Sequence, residues 1–156
     1  MTGANLEDAD LSICGLRNAS LGGALLDNAR LVLTRLERAD LNGASLQGPI
    51  LDSASLRGAD LSGADLTDAD LTDADLTGAD LTGESTMTEE DPEEAQLLRT
   101  NLTGADLTGA DLTDAKVTQE QLDKVKSLTG ATMPNGQKYE DWLKDRREKG
   151  ENGGPS

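Results

Sequence analysis

A leucine stands at every fifth position from Leu6 to Leu81 without a miss: Leu6, Leu11, Leu16, Leu21, Leu26, Leu31, Leu36, Leu41, Leu46, Leu51, Leu56, Leu61, Leu66, Leu71, Leu76 and Leu81. Two residues before almost every one stands a small residue, usually Ala, from Ala4 to Ala79, with Cys14, Thr34 and Pro49 as variants. After an interruption the pattern resumes at Leu102, Leu107, Leu112 and Val117. A period of five matches neither the 3.6 of a helix nor the 2 of a strand, so no ordinary amphipathic element can gather these leucines on one side. A chain that turns a corner every five residues can. With the central Leu and the residue two before it inward, the other three positions face water, and these are mostly Asp, Asn, Ser, Thr, Arg and Gly.

Composition agrees with a core of this unusual kind. The 156 residues are 35% hydrophobic and 1% aromatic, with no Phe, no His and a net charge of −16. A conventional core of this length would use bulky aromatics, and low hydrophobicity with high charge would read as disorder were there no repeat. Cys14 is the only cysteine, which excludes an intrachain disulfide and a zinc or redox pair, and it reads as a small buried apolar residue. No run approaches the ~18 apolar residues of a membrane span, and the first residues lack the basic and apolar regions of a signal peptide. The expectation is a cytoplasmic protein, although a processed lumenal or periplasmic form would read the same.

The repeated A-D/N-L-x-x unit resembles the pentapeptide-repeat family over residues 4 to 119, apart from an insertion. The resemblance implies an all-β solenoid, a right-handed quadrilateral β-helix in which four repeats close a coil of twenty residues. Residues 1–119 then form about five coils, with an insertion loop at 84–99 leaving between the fourth and first faces. Leu6, Leu11, Leu26, Leu46, Leu66, Leu71, Leu81, Leu102, Leu107 and Leu112 are the expected structural core, each burial contributing about 2 kcal/mol. On this assignment Leu66→Asp should collapse the rod and Thr67→Asp should be near neutral.

A solenoid needs its ends covered, and residues 120–145 read as a C-terminal helical cap or, alternatively, a dimer contact. Thr118 and Gln121 form a capping box opening a helix with Leu122, Val125 and Leu128 at helical spacing, and Gly130 is its stop. Ala131 to Asn135 reads as a degenerate repeat on Met133, and Tyr139, Trp142 and Leu143 as a second short helix. Residues 146–156 are expected to be a disordered tail. Within the insertion, Asp91, Pro92 and Glu94 have the order of a helix start running to Arg99. No cap precedes Ala4, so the first coil is open, and the chain is expected to be a monomer or to self-associate weakly through that edge.

Assigning residues to four faces distinguishes the surface. Face two collects Ile13, Val32, Leu33 and Ile50, with Leu25 on face one, and face three carries Arg17, Arg35, Arg38 and Arg57, with Arg30 on face two. An apolar strip flanked by arginines is the composition of a protein interface. Residues 61–119 carry fifteen acids against Arg99 and Lys116, whereas residues 1–60 carry eight acids against five arginines. The Asp before each Leu reads first as the repeat's structural residue and second as a negative column attracting cations or a basic protein.

No candidate catalytic, cofactor-binding or metal-binding residue emerges. The chain has no His, no nucleophile beside a base and no Gly-rich phosphate loop, and its field repels nucleic acid. The reading is a non-catalytic module binding an unidentified protein, with neither nucleic acid nor membrane as partner. The alternative, taken from the family resemblance, is a DNA mimic that binds gyrase or topoisomerase; a purely structural spacer is the third reading.

Overall fold

The computed structural model describes residues 1–82 and 100–148. Parallel bridges join each outward residue to the one twenty positions on: Asn5 to Leu25, Asp10 to Arg30, Gly15 to Arg35 and Ser20 to Asp40, continuing coil by coil. Past the excursion the chain returns in register, with Asp65 bridged to Asn101 and Asp80 to Lys116. The bridges define four walls. Face one runs through Asn5, Leu25, Ser45, Asp65 and Asn101; face two through Asp10, Arg30, Ile50, Asp70 and Asp106; face three through Gly15, Arg35, Ser55, Asp75 and Asp111; face four through Ser20, Asp40, Asp60, Asp80 and Lys116.

Among the described residues each wall contributes a single bridged residue per coil and no longer strand, because the rest of every five-residue side is a corner. The amide of Ala9 donates to the carbonyl of Leu6 at 3.1 Å, and that of Ala24 to Leu21 at 2.9 Å. The third residue of each corner has positive φ, 56° at Asp8 and 63° at Gly23, as a type II turn requires. The residue before the bridge and the one after it point inward while the bridge residue points out, which is strand alternation confined to three residues.

The leucines at 26, 46, 66, 71, 81, 102, 107 and 112 are at most 1% exposed, and the residues two before them, alanine in every case but Thr100, are at most 2% exposed. Thr34, standing where most coils have Ala, is tolerated because its hydroxyl donates to the carbonyl of Leu11 at 2.7 Å. Leu6 and Leu11, expected in the core, are only half-buried, as is Leu16. No coil of the described chain lies above them, and the amides of Asn5, Asp10, Gly15 and Ser20 donate to nothing in it.

The lower end departs from the expected helical cap. Helix α1 spans only Gln119–Leu122, capped by Thr118 and Gln121 as expected, and it does not reach Leu128. The chain instead rejoins the solenoid: Ser127 bridges Asp106, Thr132 bridges Asp111, and the amide of Ala131 donates to Leu128 at 3.0 Å as at any other corner. The open backbone of the last coil explains the change, because the amide of Leu107 and the carbonyl of Ala105 are satisfied by Ser127 and Lys126. Leu128 and Met133 thus act as two further repeat centres, each 1% exposed. Helix α2, Tyr139–Glu148, closes over them. Tyr139 stacks on Trp142 with ring centroids 6.0 Å apart, and the Arg146 guanidinium lies 4.7 Å from the Trp142 ring. Arg146 to Glu148, expected in a disordered tail, are therefore the last turn of α2, and the helix expected between Asp91 and Arg99 lies outside the described residues.

Gln121 closes the seam where the chain leaves and re-enters the stack. Its side-chain amide donates to the carbonyl of Leu81 at 2.6 Å and to that of Thr100 at 2.9 Å, and its Oε1 accepts from the Thr118 amide at 2.8 Å. With the residue 5% exposed, Gln121→Ala would strand two buried carbonyls. The expected loss is about 2 kcal/mol, read as an earlier denaturation midpoint with an unchanged circular dichroism spectrum.

Candidate functional site

Corner geometry governs which outward residues cost the fold something. The third corner residue must be left-handed, which Gly meets freely and Asn and Asp meet at little cost. Asp8, Asn18, Asn28, Asp68, Asp73 and Asp114 fit that rule. Ile13 and Leu33, at φ 62° and 56°, do not, nor do Arg38 and Ser53 at 57° and 56°; of these four Ile13 is β-branched, the type for which positive φ is a true outlier. Ile13 and Leu33 stand on successive coils at the corner between faces two and three, 72% and 55% exposed, and the Ile13 amide donates to the carbonyl of Val32 at 2.9 Å.

The other apolar residues expected in this strip are distributed differently. Val32 sits in the same corner, half-buried; Ile50 is half-buried on face two below Arg30. Leu25, 39% exposed, lies in the column of face one, so that Arg30 and all of face two separate it from Leu33. The apolar surface is thus a ridge of Ile13, Leu33 and Val32 rather than a strip reaching Leu25.

The arginines fall into two groups. Arg17 pairs with Glu37 at 2.7 Å and Arg57 with Asp75 at 3.2 Å. The side chains of Arg30, Arg35 and Arg38 are exposed and form no hydrogen bond or ion pair among the described residues. Arg30 and Arg35 flank the ridge on its two walls.

The acids before each Leu serve the corners. Oδ1 of Asp65, Asp70, Asp75, Asp80, Asp106 and Asp111 accepts the amide two residues on, at 3.0 to 3.1 Å, an Asx turn laid over the corner. In five of the six the Thr hydroxyl at that position donates to the same oxygen. Lysines neutralise some of the outer oxygens, Lys116 on Asp80 and Lys126 on Asp106. Among the described residues no group of His, Cys, Asp and Glu is placed to hold a metal ion, and no helix is long and apolar enough to cross a membrane.

These contacts set the acid response. The Arg17 guanidinium holds Glu37 down at about 2. The Thr108 hydroxyl lowers Asp106, and that of Thr113 lowers Asp111. At Asp80 burial acts upward as the largest single influence, and the bonds from Lys116 and Thr82 together outweigh it. Carboxylates lowered in the folded state bind protons more tightly once unfolded, so their contribution is complete above the ordinary range near 4 and is lost as pH falls through the folded values. The melting temperature should be flat from neutrality to about pH 5 and fall steadily toward about pH 2; a rise over that interval in thermal scans contradicts the assignment.

Comparison with known proteins agrees with the geometry. The family model described as pentapeptide repeats (8 copies) matches residues 14–48, 50–83 and 93–119. A pentapeptide repeat protein from the Arabidopsis thaliana thylakoid lumen is 31% identical with a TM-score of 0.71, over 92% of this chain and 90% of that one. Rfr23, from the cyanobacterium Cyanothece 51142, is 28% identical with a TM-score of 0.54, over 74% of this chain and 64% of its own. QnrB1, a plasmid-mediated fluoroquinolone resistance protein, is 18% identical with a TM-score of 0.39, over 94% of this chain and 84% of its own, a likeness too low to carry an argument. A search of curated proteins found no match. With coils of twenty residues, four bridged walls and a leucine core at every fifth position, the chain belongs to the pentapeptide-repeat family.

Proposed function

We propose that this protein is a non-catalytic interaction module that docks a partner protein on the ridge of Ile13, Val32 and Leu33, between Arg30 and Arg35. The observation that carries the reading is Ile13: a β-branched apolar side chain in the left-handed region, 72% exposed, costs the fold more than its small burial returns. Strain retained at an exposed position points to a use outside folding, and apolar centres rimmed by arginine are what protein interfaces contain. The coils take the right-handed sense that the family resemblance implies. The thylakoid-lumen source of one relative makes a lumenal setting as good a reading for this chain as the cytoplasmic one expected from the lack of an apolar span and a signal-like start.

The test is affinity capture from native extract with Ile13→Asn/Leu33→Asn beside the wild type and Leu25→Asn. A partner retained by wild type and Leu25→Asn but lost from the ridge variant supports the site; identical capture by all three removes it.

DNA mimicry is the second reading, favoured by Asp40, Asp60 and Asp80 stacked on successive coils of face four. The arginines on faces two and three interrupt any such field, and Lys116 ends the acidic column. Full supercoiling by gyrase in the presence of excess protein would leave mimicry without support.

A further inference from the structure

Face three, with the corner joining it to face four, divides along the rod axis by sign. Over the first three coils it carries Arg17, Arg35, Arg38 and Arg57 against Glu37; over the next two it carries Asp75, Asp111 and Asp114 and no base. The net is +3 above and −3 below. At both ends charge is left over after intrachain pairing. Arg35 and Arg38 are exposed without an ion pair among the described residues, and Asp114 is exposed with none. Asp111 commits Oδ1 to Thr113 and makes no ion pair there. Lys138, which reaches Asp111 electrostatically, is held by the carbonyl of Gly130 and the hydroxyl of Thr132 at 3.0 and 2.9 Å.

Shape follows the same division. The third corner residue between faces three and four reads Asn18, Arg38, Gly58, Gly78 and Asp114 on successive coils. The charged residues stand on the second and fifth coils with glycine between them: the Arg38 side chain lies 3.7 Å from where a Gly58 Cβ would be, and nothing stands within 4 Å of that of Gly78. The excursion departs after Thr82 and returns at Thr100, at the corner of faces four and one, which borders neither edge of face three.

A surface positive at one end and negative at the other, with the Arg57–Asp75 pair between, is complementary to itself when turned end for end. We propose that face three is a two-fold association surface for a second copy of this chain, the arginine end of each copy docking on the aspartate end of the other. A two-fold axis near Gly58 and Gly78 sets the second coil of one copy against the fifth of its mate, and the interface is isologous. A single wall of so short a rod makes a small, polar contact, so the dimer is weak and salt-sensitive. The proposal deepens the interaction-module reading and rests on it only in taking the unpaired arginines as binding groups. It needs no foreign partner, so its failure leaves the capture experiment untouched, and failure of that experiment leaves this one standing.

Sedimentation equilibrium on the purified chain tests it, in low salt and again at about 0.5 M salt, where the screening length is a few ångströms. A monomer–dimer equilibrium that salt dissolves is expected. Arg35→Glu/Arg38→Glu sets acid against acid and should weaken association by about tenfold or more. Asp111→Asn/Asp114→Arg does the same from the other end, and Asn keeps the turn acceptor, as Asn101 does for Thr103. Mixing the two variants restores opposite signs at both contacts, so a heterodimer should form where neither variant pairs with itself. A wild type that stays monomeric in low salt overturns the proposal. So does a dimer indifferent to both variants, which would place self-association elsewhere, for instance at the exposed edge of the first coil. Unchanged circular dichroism and melting in each variant keep misfolding apart from lost association.

Discussion

Leu66→Asp is expected to abolish the cooperative melt of the solenoid. Leu66 is 0% exposed, in a bore lined mostly by Leu and Ala where the nearby Thr100 hydroxyl is already committed to the carbonyl of Leu61, so the carboxylate would have neither water nor a cation to pair with. An unpaired charge in such a place costs more than about 5 kcal/mol, a sum comparable with the whole stability of a domain this size. Because a chain that fails to fold is a blunt result, Leu66→Ala is the measured counterpart: the cavity should cost about 2 to 5 kcal/mol and still give a readable transition. Thr67→Asp is the outward control, though not the neutral one that the repeat pattern alone implies. The Thr67 hydroxyl donates to Asp65 and accepts from the Asn101 side-chain amide at 2.9 Å, so the substitution sets two carboxylates together. A loss of about 1 kcal/mol is expected. Equal melting temperatures for Leu66→Ala and Thr67→Asp would mean that the inward assignment is wrong.

Thr67 also shows where the period stops informing. Which positions face in and which face out follows from spacing alone, since only corners every five residues reconcile the leucines with the polar residues between them. What an outward residue does is set by its neighbour on the next coil, twenty or thirty-six positions away, and that distance enters only with the coil length. The left-handed demand at the third corner position was legible in principle. Gly23, Gly43, Gly58 and Gly78 alternate there with Asn18, Asn28, Asp68 and Asp73, a composition that names its own backbone conformation. Against that composition Ile13 is the odd residue, and hydrophobicity alone does not separate it from Leu25, although a whole wall lies between them. The helix expected to Leu128 failed for a different reason. Leu122, Val125 and Leu128 satisfy helical spacing, but Leu128 and Met133 also satisfy spacing by five, and the unpaired backbone of the last coil decided between them. Local propensity yields to an edge that has hydrogen bonds to offer. The Gln121 seam was beyond sequence reading, since its two acceptors lie twenty-one and forty residues away.

Ile13→Asn and Leu33→Asn are expected to raise the melting temperature, against the usual result of replacing an aliphatic residue by an amide. Asn18 and Asn28 occupy the equivalent position of neighbouring corners at φ 54° and 57°, so the replacement is one this backbone already accepts. Relief of the left-handed conformation is worth about 1 to 2 kcal/mol. Against it stands whatever burial the aliphatic side chains retain, which is small for Ile13 at 72% exposure and larger for Leu33 at 55%. The gain should therefore be greater for Ile13→Asn, the β-branched and more exposed of the two, and the double variant should fall short of additivity because the residues stand on adjacent coils. Differential scanning calorimetry of the two single variants and the double decides it. A melting temperature lowered by Ile13→Asn would show that the side chain steadies its corner, and its exposure would then need no partner to account for it. A raised one, together with loss of capture in the same variant, would mean that at this corner the chain carries a residue its fold is better without, held there by what it binds.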